Sequence, residues 1–571
     1  MWRRALAVAV LALAVVGGPR PAAAAELGPR YEHKETRDLV ALVTEAADLV
    51  QTQGEAAFSD FRATGSRWRQ EATYIFVLDL QGNMLVHLDP AMEGRNQLDL
   101  KDINGKPIIL GLLQAATAVP EKQEGWFHYQ WPIPGGILPR WKSSYVRLAI
   151  APSGKRYVVG SGVYNDRMER MFVVDEVNDA VNLIERHGDQ AFARFHDPTG
   201  PFLVKDSYIF VIDPSGIERV NPAFPNLEGR DLLDLKDAQG KPVIRSMFKA
   251  VESADAGWVD YMWPKPGESV STLKSAYVRK AKWGDKWFLV GCGVYLADAP
   301  KAQRPAGEMT APKLATLVRE GAAVFERKGE KAYPEFRKKG AKWFHGDTYF
   351  FVWAMDGSRE FHAADATLEG RNGRTVKDAL GRPYGQMFLE IAASPAGEGW
   401  IHYMYPEPGG IFPIWKSVFL KRVTFPSGKQ HLIGCGVYNL QIDQAIIKDV
   451  VDRAAALVAE RGKGAFGALR DKTGPFLFMD TYVFVDSPDG IELVNAAQPS
   501  LEGKNVSDLR DLSGKAVARE YLALALRDGE GWVEYHWYKP GQNTPSLKRT
   551  YVRKVQAGGE TYIVGAGICA D

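Results

Sequence analysis

The sequence predicts an α+β chain made of four copies of one unit. Three observations carry that expectation. A strand of the form Thr/Ser-Tyr-x-Phe-Val recurs at 73–77, 207–211, 348–352 and 481–485. A Gly-Trp pair opens another strand at Gly125, Gly257, Gly399 and Gly531. A lysine follows at Lys142, Lys274, Lys416 and Lys548, at intervals of 132, 142 and 132 residues.

Within the first unit the pattern reads in order. A helix over 38–61 comes first, then a hairpin whose turn is Gln81-Gly82, echoed by Ser215-Gly216, Asp356-Gly357 and Asp489-Gly490. A loop holds Glu93-Gly-Arg-Asn96, with counterparts starting at Glu228, Glu369 and Glu502. A short helix over 108–118 and three strands over 126–131, 143–150 and 156–164 complete it. Each unit is then a five-stranded antiparallel sheet with an N-terminal helix and a short helix. Segments 165–186 and 439–461 read as continuous helices joining units in pairs, since Met168, Met171, Phe172, Asp175, Val177, Val181 and Ile184 follow a period of about 3.6.

The copies alternate. The first and third share Pro134-Gly-Gly-Ile137 and Pro408-Gly-Gly-Ile411; the second and fourth share Thr199-Gly-Pro-Phe202 and Thr473-Gly-Pro-Phe476. Five residues after the hairpin glycine stand His87 and His362 in odd copies, Asn221 and Asn495 in even ones. An A-B pair duplicated to A-B-A′-B′ accounts for this. The expected bounds are 36–165, 174–296, 313–439 and 449–569, with a breaker-rich, flexible linker over 298–312.

Composition narrows the class. The 571 residues are 46% hydrophobic and 25% charged, which excludes a disordered chain, a collagen-like fibre and a multi-span membrane protein. The 71 basic and 69 acidic residues are interspersed, so no nucleic-acid footprint stands out. Three cysteines make no disulfide framework. The N-terminus reads as a secretory signal: Arg3-Arg4, an apolar run over 5–16, and small residues at 22–25. Its apolar run spans about 18 Å as a helix, short of the roughly 30 Å hydrocarbon core. Cleavage near Ala25 would leave a periplasmic or secreted chain that does not span the membrane.

The ordered motifs Tyr-x-Phe-Val, Glu-Gly-Arg-Asn, Lys-Asp-x-x-Gly-Lys-Pro, Gly-Trp-x-x-Tyr-x-Trp-Pro, Lys-x-x-Tyr-Val-Arg and Val-Gly-x-Gly-Val-Tyr resemble the single Cache domain family, type 2, in four tandem copies. The resemblance implies a PAS-like fold that binds small molecules, often short organic acids, outside the cytoplasm, and that ordinarily serves chemoreceptors and sensor kinases.

Three sets of residues are candidates for ligand contact. The first is the strand Lys-x-x-Tyr-x-Arg: Lys142, Tyr145 and Arg147; Lys274, Tyr277 and Arg279; Lys548, Tyr551 and Arg553; and, in the third copy, Lys416 with Phe419 and Lys421. A cation beside a phenol suits a carboxylate; a solvated cation beside a core aromatic is the alternative. The second is the aromatic strand, with Tyr129 and Trp131 on one face and Tyr261, Tyr403 and Tyr535 as counterparts, either a pocket wall or plain core. The third is His87 and His362 with Asn221 and Asn495, which share a hydrogen-bonding role but not an acid–base one. Glu-Gly-Arg-Asn and the Asp102, Asp237, Asp378 and Asp511 turns read as structural. Cys292 and Cys435 look buried and inert, while Cys569 lies near the C-terminus. No metal-ligand spacing, cofactor motif or recurring catalytic set is recognised.

The expectation is therefore a non-enzymatic, extracytoplasmic binding protein for a small organic acid, of the Cache sensor type and without its own signalling domain. The alternative is an accessory protein that docks to a membrane sensor kinase or chemoreceptor.

Overall fold

The computed structural model describes residues 30–571 except 71, 119–122, 135–138, 165–167, 267–270, 297–308, 409–410, 512, 540–544 and 570–571. The expected signal segment and most of the linker lie outside the described residues. Among the described residues, no helix is long and apolar enough to cross a membrane.

In the first repeat the helix Lys34–Gln53 buries Leu39, Val40, Val43, Ala46, Ala47 and Val50 along one stripe. It ends at Gly54, whose φ of 62° places it where a side chain is strained, while its N–H still donates to the Val50 carbonyl. The helix expected over 38–61 is thus broken: a 3-10 turn at Gly54–Ala57 and a short helix at Phe58–Arg62 follow. Gly188, Gly329 and Gly462 end the other long helices with the same geometry. The joining helices begin later than expected, at Arg170 and Gln444. Asn439 has a φ of 50°, and Asp443 caps the second helix by accepting from the Ala445 and Ile446 amides.

Five strands form the first sheet: β1 (Phe76–Asp79), β2 (Met84–Val86), β3 (Glu124–Pro132), β4 (Pro139–Ile150) and β5 (Arg156–Tyr164). They lie antiparallel in the order β2-β1-β5-β4-β3, which puts the strand that is last in sequence at the centre. The other repeats follow the same order, with a short added strand at Phe344–His345 and Leu477–Phe478 extending the third and fourth sheets. Each sheet has two faces. In the first repeat, one face packs on the long helix through Tyr145, Ala149, Tyr157 and Val159. The other packs on the short helix Ile108–Thr117 through Phe76, Phe127, Tyr129, Val146 and Val158.

The Gly-x-Gly run in β5 makes the second face possible. A methyl group on Gly160 would lie 2.4 Å from the Phe76 ring, and one on Gly162 would lie 2.5 Å from Lys142 Cε. Gly291, Gly434 and Gly565 take the corresponding Phe210, Phe351 and Phe484 rings, and Gly293, Gly436 and Gly567 the corresponding lysines. The residue between the glycines points the other way, where Cys292, Cys435 and Ala566 join the helix-side cores.

Within a pair, units are sewn together by buried cations. Lys106 Nζ donates to the Leu203 carbonyl at 2.6 Å, and Arg382 donates to the Leu477 and Gly474 carbonyls at 2.5 and 2.7 Å. Phe172, at the start of the joining helix, packs on Trp126 with ring centroids 4.6 Å apart. The cores of the third and fourth repeats merge into one cluster. Contacts also cross between pairs. Phe412 of the third repeat packs on Phe224 and Trp263 of the second at 5.5 and 4.7 Å, and Arg140 of the first lies 3.2 Å over the Tyr538 ring of the fourth.

Gly565→Ala is expected to destabilise its repeat by about 1–3 kcal/mol, because the Phe484 ring has nowhere to retreat. Calorimetric unfolding should show a lowered transition for that repeat.

Candidate functional site

On the face away from the long helix, β4 carries Lys142 across the glycine floor. The side chain is 2% exposed. Its Nζ donates to the Tyr74 hydroxyl at 3.0 Å and lies 4.3 Å from that ring's centroid and 5.2 Å from that of Tyr164. The Tyr74 hydroxyl also meets His87 Nε2 at 3.2 Å. Tyr129 hydrogen-bonds Ser144 at 3.0 Å, and Trp131 packs edge-on to His87. Tyr74, His87, Tyr129 and Trp131, with Met84, Ile108 and Leu112, line a cavity with about 300 Å³ of atom-free space, open solvent included.

The same lysine recurs in every repeat. Lys274, Lys416 and Lys548 lie 4.0, 3.9 and 4.0 Å from the rings of Tyr208, Tyr349 and Tyr482. Lys416 donates to the Tyr349 hydroxyl at 2.6 Å. Lys274 Nζ is fully buried and has no hydrogen-bond partner among the described residues. In the fourth repeat Lys548, Tyr482, Tyr535, Trp537 and Asn495 line a cavity with about 370 Å³ of such space, together with Glu492.

Burial sets the protonation of these groups. It pulls Lys142 and Lys416 down to about 7 and Lys274 to about 8. Burial, helped by the nearby lysines, lowers His87 to about 4 and His362 to about 3, so both imidazoles are neutral at pH 7. Each can therefore offer one donor and one acceptor.

The expected trio Lys142, Tyr145 and Arg147 is divided by the sheet. Residues three apart on a strand face opposite ways, so Tyr145 sits in the helix-side core and Arg147 pairs with Asp48 and Glu124. Tyr277 and Tyr551 lie on that same face, as do Arg279 on Asn178 and Arg553 on Asp452, both at 2.5 Å. In the third repeat Phe419 joins the helix-side core and Lys421 pairs with Glu398. Tyr261 and Tyr403 stand with their lysines on the pocket face.

His87, His362, Asn221 and Asn495 hold matching places in the four repeats, and His87 and Asn495 line the cavities of the first and fourth. The backbone N–H of each is clamped by the carboxylate of its Glu-Gly-Arg/Lys motif: Glu93, Glu369, Glu228 and Glu502, at 2.6–2.9 Å. That motif's acid therefore fixes a pocket residue rather than facing the pocket. Asp102, Asp237, Asp378 and Asp511 likewise tie their turns to the neighbouring strand through the amides of Gln130, Met262, Met404 and His536.

Sequence reasoning missed Tyr74, Tyr208, Tyr349 and Tyr482, although they stand in the first recurring motif. It also missed the residue two positions after the hairpin glycine, which is Met84, Glu218, Arg359 and Glu492 in turn. Its odd–even alternation parallels that of His and Asn and was open to the same reading.

Comparison with known proteins places the architecture. Residues 175–306 match the family model described as "Single Cache domain 2", and residues 65–169, 338–467 and 463–571 match the one described as "Cache domain". The methyl-accepting chemotaxis protein McpP of Pseudomonas putida is 36% identical over 94 residues, and the sensor histidine kinase MctS of Rhizobium johnstonii is 38% identical over 95. Each alignment takes in 16% of this chain, and the chain spans 17% and 20% of the two relatives' lengths. Among solved structures, a periplasmic sensor domain of a chemotaxis protein is 29% identical, covering 22% of this chain and 95% of that one at a TM-score of 0.20. A Cache chemosensory domain studied for carboxylic acid recognition is 27% identical, covering 22% and 91% at a TM-score of 0.20.

The buried lysines carry a pH signature. A lysine held near 7 in the fold but near 10.4 when unfolded binds fewer protons folded than unfolded between those values, so stability rises with pH across that window and falls as pH drops through 7. The slope is at most about 1.4 kcal/mol per pH unit for each lysine. Denaturant melts from pH 7 to 10 should show the rise, and Lys142→Met with Lys416→Met should reduce it, most of all between pH 7 and 8, where Lys274 is still protonated.

Proposed function

The chain belongs to the Cache domain family, and on that premise we propose that it is an extracytoplasmic sensor-type protein that binds short carboxylates at its buried lysines. One observation carries this reading most directly. Lys142 is buried with a neutral phenol as its hydrogen-bond partner, and burial alone accounts for its lowered affinity for a proton. A ligand carboxylate would supply the anion that this ammonium lacks, in a charge-assisted bond inside a low-dielectric cavity. The Tyr74 hydroxyl, neutral His87 and the Tyr129 and Trp131 walls would orient the acid and cover its carbon atoms.

Size bounds the affinity. An acid of about six heavy atoms gains at most roughly 1.5 kcal/mol per atom, or about 9 kcal/mol, so micromolar dissociation constants are expected. The recognition step needs only binding, and the reading assigns the chain no catalysis. Export through the N-terminal signal, the repeat bounds drawn above and residence in the periplasm belong to the same proposal. A second reading, docking onto a membrane sensor kinase or chemoreceptor, is favoured by the kinds of protein that share its sequence. Pull-down from envelope membranes with and without acetate would test it.

Calorimetric titration of the whole chain with acetate, propionate and lactate is expected to give micromolar binding. Lys142→Met or Tyr74→Phe should weaken the first site at least about tenfold, whereas Tyr145→Phe, on the opposite face, should leave it unchanged. Affinity should fall above pH 7 as Lys142 loses its proton, by up to about tenfold per pH unit. Flat titrations with every acid would overturn the reading.

A further inference from the structure

The two pairs of repeats meet over residues that, in the last repeat, belong to a cavity. Tyr208, Glu218, Asn221, Tyr261, Trp263 and Lys274 each stand 274 positions before Tyr482, Glu492, Asn495, Tyr535, Trp537 and Lys548, all six of which line the cavity of the fourth repeat. The second repeat carries the same set of groups on a sheet of the same strand order. Its Lys274 is fully buried, and the ammonium has no hydrogen-bond partner among the described residues.

What differs is the cover. Phe224 of the second repeat stands where the fourth has Gln498. Its ring lies edge-on to Tyr208 and Trp263, with centroids 6.1 and 6.2 Å away. Phe412 of the third repeat closes on the same place, 5.5 Å from Phe224 and 4.7 Å from Trp263, again edge-on. Ile411 beside it packs on the pocket-side core of the second repeat, and its carbonyl accepts from Asn226 Nδ2. A related reach occurs in the other direction, where Arg140 of the first repeat, counterpart of Ile414, lies over Tyr538 next to Trp537. The aromatic seal belongs to one side only, because the counterparts of Phe224 and Phe412 are Gln498 and Leu138. Ile411 and Phe412 form a short segment just before a strand, so their contact can part by local opening while both sheets stay folded.

We propose that Ile411 and Phe412 of the third repeat form a lid on the pocket of the second, so that a small molecule reaches Lys274 only when this contact between the pairs parts. The lid is independent of the carboxylate reading and holds for any small ligand of that pocket. It makes the second pocket conditional on how the two pairs are seated, while Lys548 in the fourth repeat lines its cavity without such a seal of phenylalanines.

Reductive methylation of the whole chain with formaldehyde and a borohydride, read lysine by lysine in peptide mass spectra, follows the entry of a small probe to each buried amine. Phe412→Ala is expected to speed methylation of Lys274 at least about tenfold and to leave Lys142 and Lys548 at their rates in the unaltered chain. Asn226→Ala, which removes the hydrogen bond to the Ile411 carbonyl, should speed Lys274 about threefold. Lys274 indifferent to both substitutions would overturn the lid. Equal acceleration at Lys142 and Lys548 would overturn it too, since that marks general loosening of the chain. If Phe412→Ala does not fold, Asn226→Ala decides by the same comparison. No acid enters this experiment, so the carboxylate reading stands or falls on its own titrations.

Discussion

Each sheet is organised around an ammonium group in an apolar interior. A lysine of β4 or its counterpart lies flat over a β5-type strand from which the side chains have been removed, and its charge rests against a tyrosine face. Neither part is useful alone. Without the glycines the lysine stem has no floor, and without the tyrosine ring the ammonium loses its nearest electron-rich neighbour. The Glu-Gly-Arg/Lys and Asp turns then serve that centre. One clamps the histidine or asparagine, and the other ties the loop before the short helix to the β3-type strand.

Much of this was legible in the residues because it repeats. Four occurrences of Tyr-x-Phe-Val, Gly-Trp, Lys and Gly-x-Gly define the register of a five-stranded unit, and the alternation of His87 and His362 with Asn221 and Asn495 pairs the copies. The division of Lys142 from Tyr145 was also legible in principle, since an odd spacing on a strand means opposite faces; grouping by motif concealed it. Other features were not legible. The break at Gly54 depends on where the helix meets the sheet, since a lone glycine is tolerated inside many helical patterns. The association of Phe412 with Phe224 and Trp263 joins residues 188 and 149 positions apart, and no local pattern encodes it.

The helix-side and pocket-side faces divide labour. The helix-side face is ordinary: leucine, valine and alanine against a sheet, with Arg147, Arg279 and Arg553 paired at its rim. It accounts for why Cys292, Cys435 and Ala566 interchange between the glycines, as each is small and faces a packed helix. The pocket-side face carries the recurring lysines, and among the positions at which the repeats differ there are Met84, Glu218, Arg359 and Glu492 on the hairpin, and the histidines and asparagines beside them.

Phe412 immediately precedes the strand Pro413–Thr424, the one that presents Lys416. Its ring rests on Trp263 and Phe224, which belong to the pocket-side core of the second repeat. The strand therefore has its charged centre in one unit while the aromatic just before it packs on another. A shift of the Phe224 and Trp263 rings would bear on Phe412, four residues before Lys416 along the chain. The second and third units thus have a packed route to each other that does not pass through the chain connecting them.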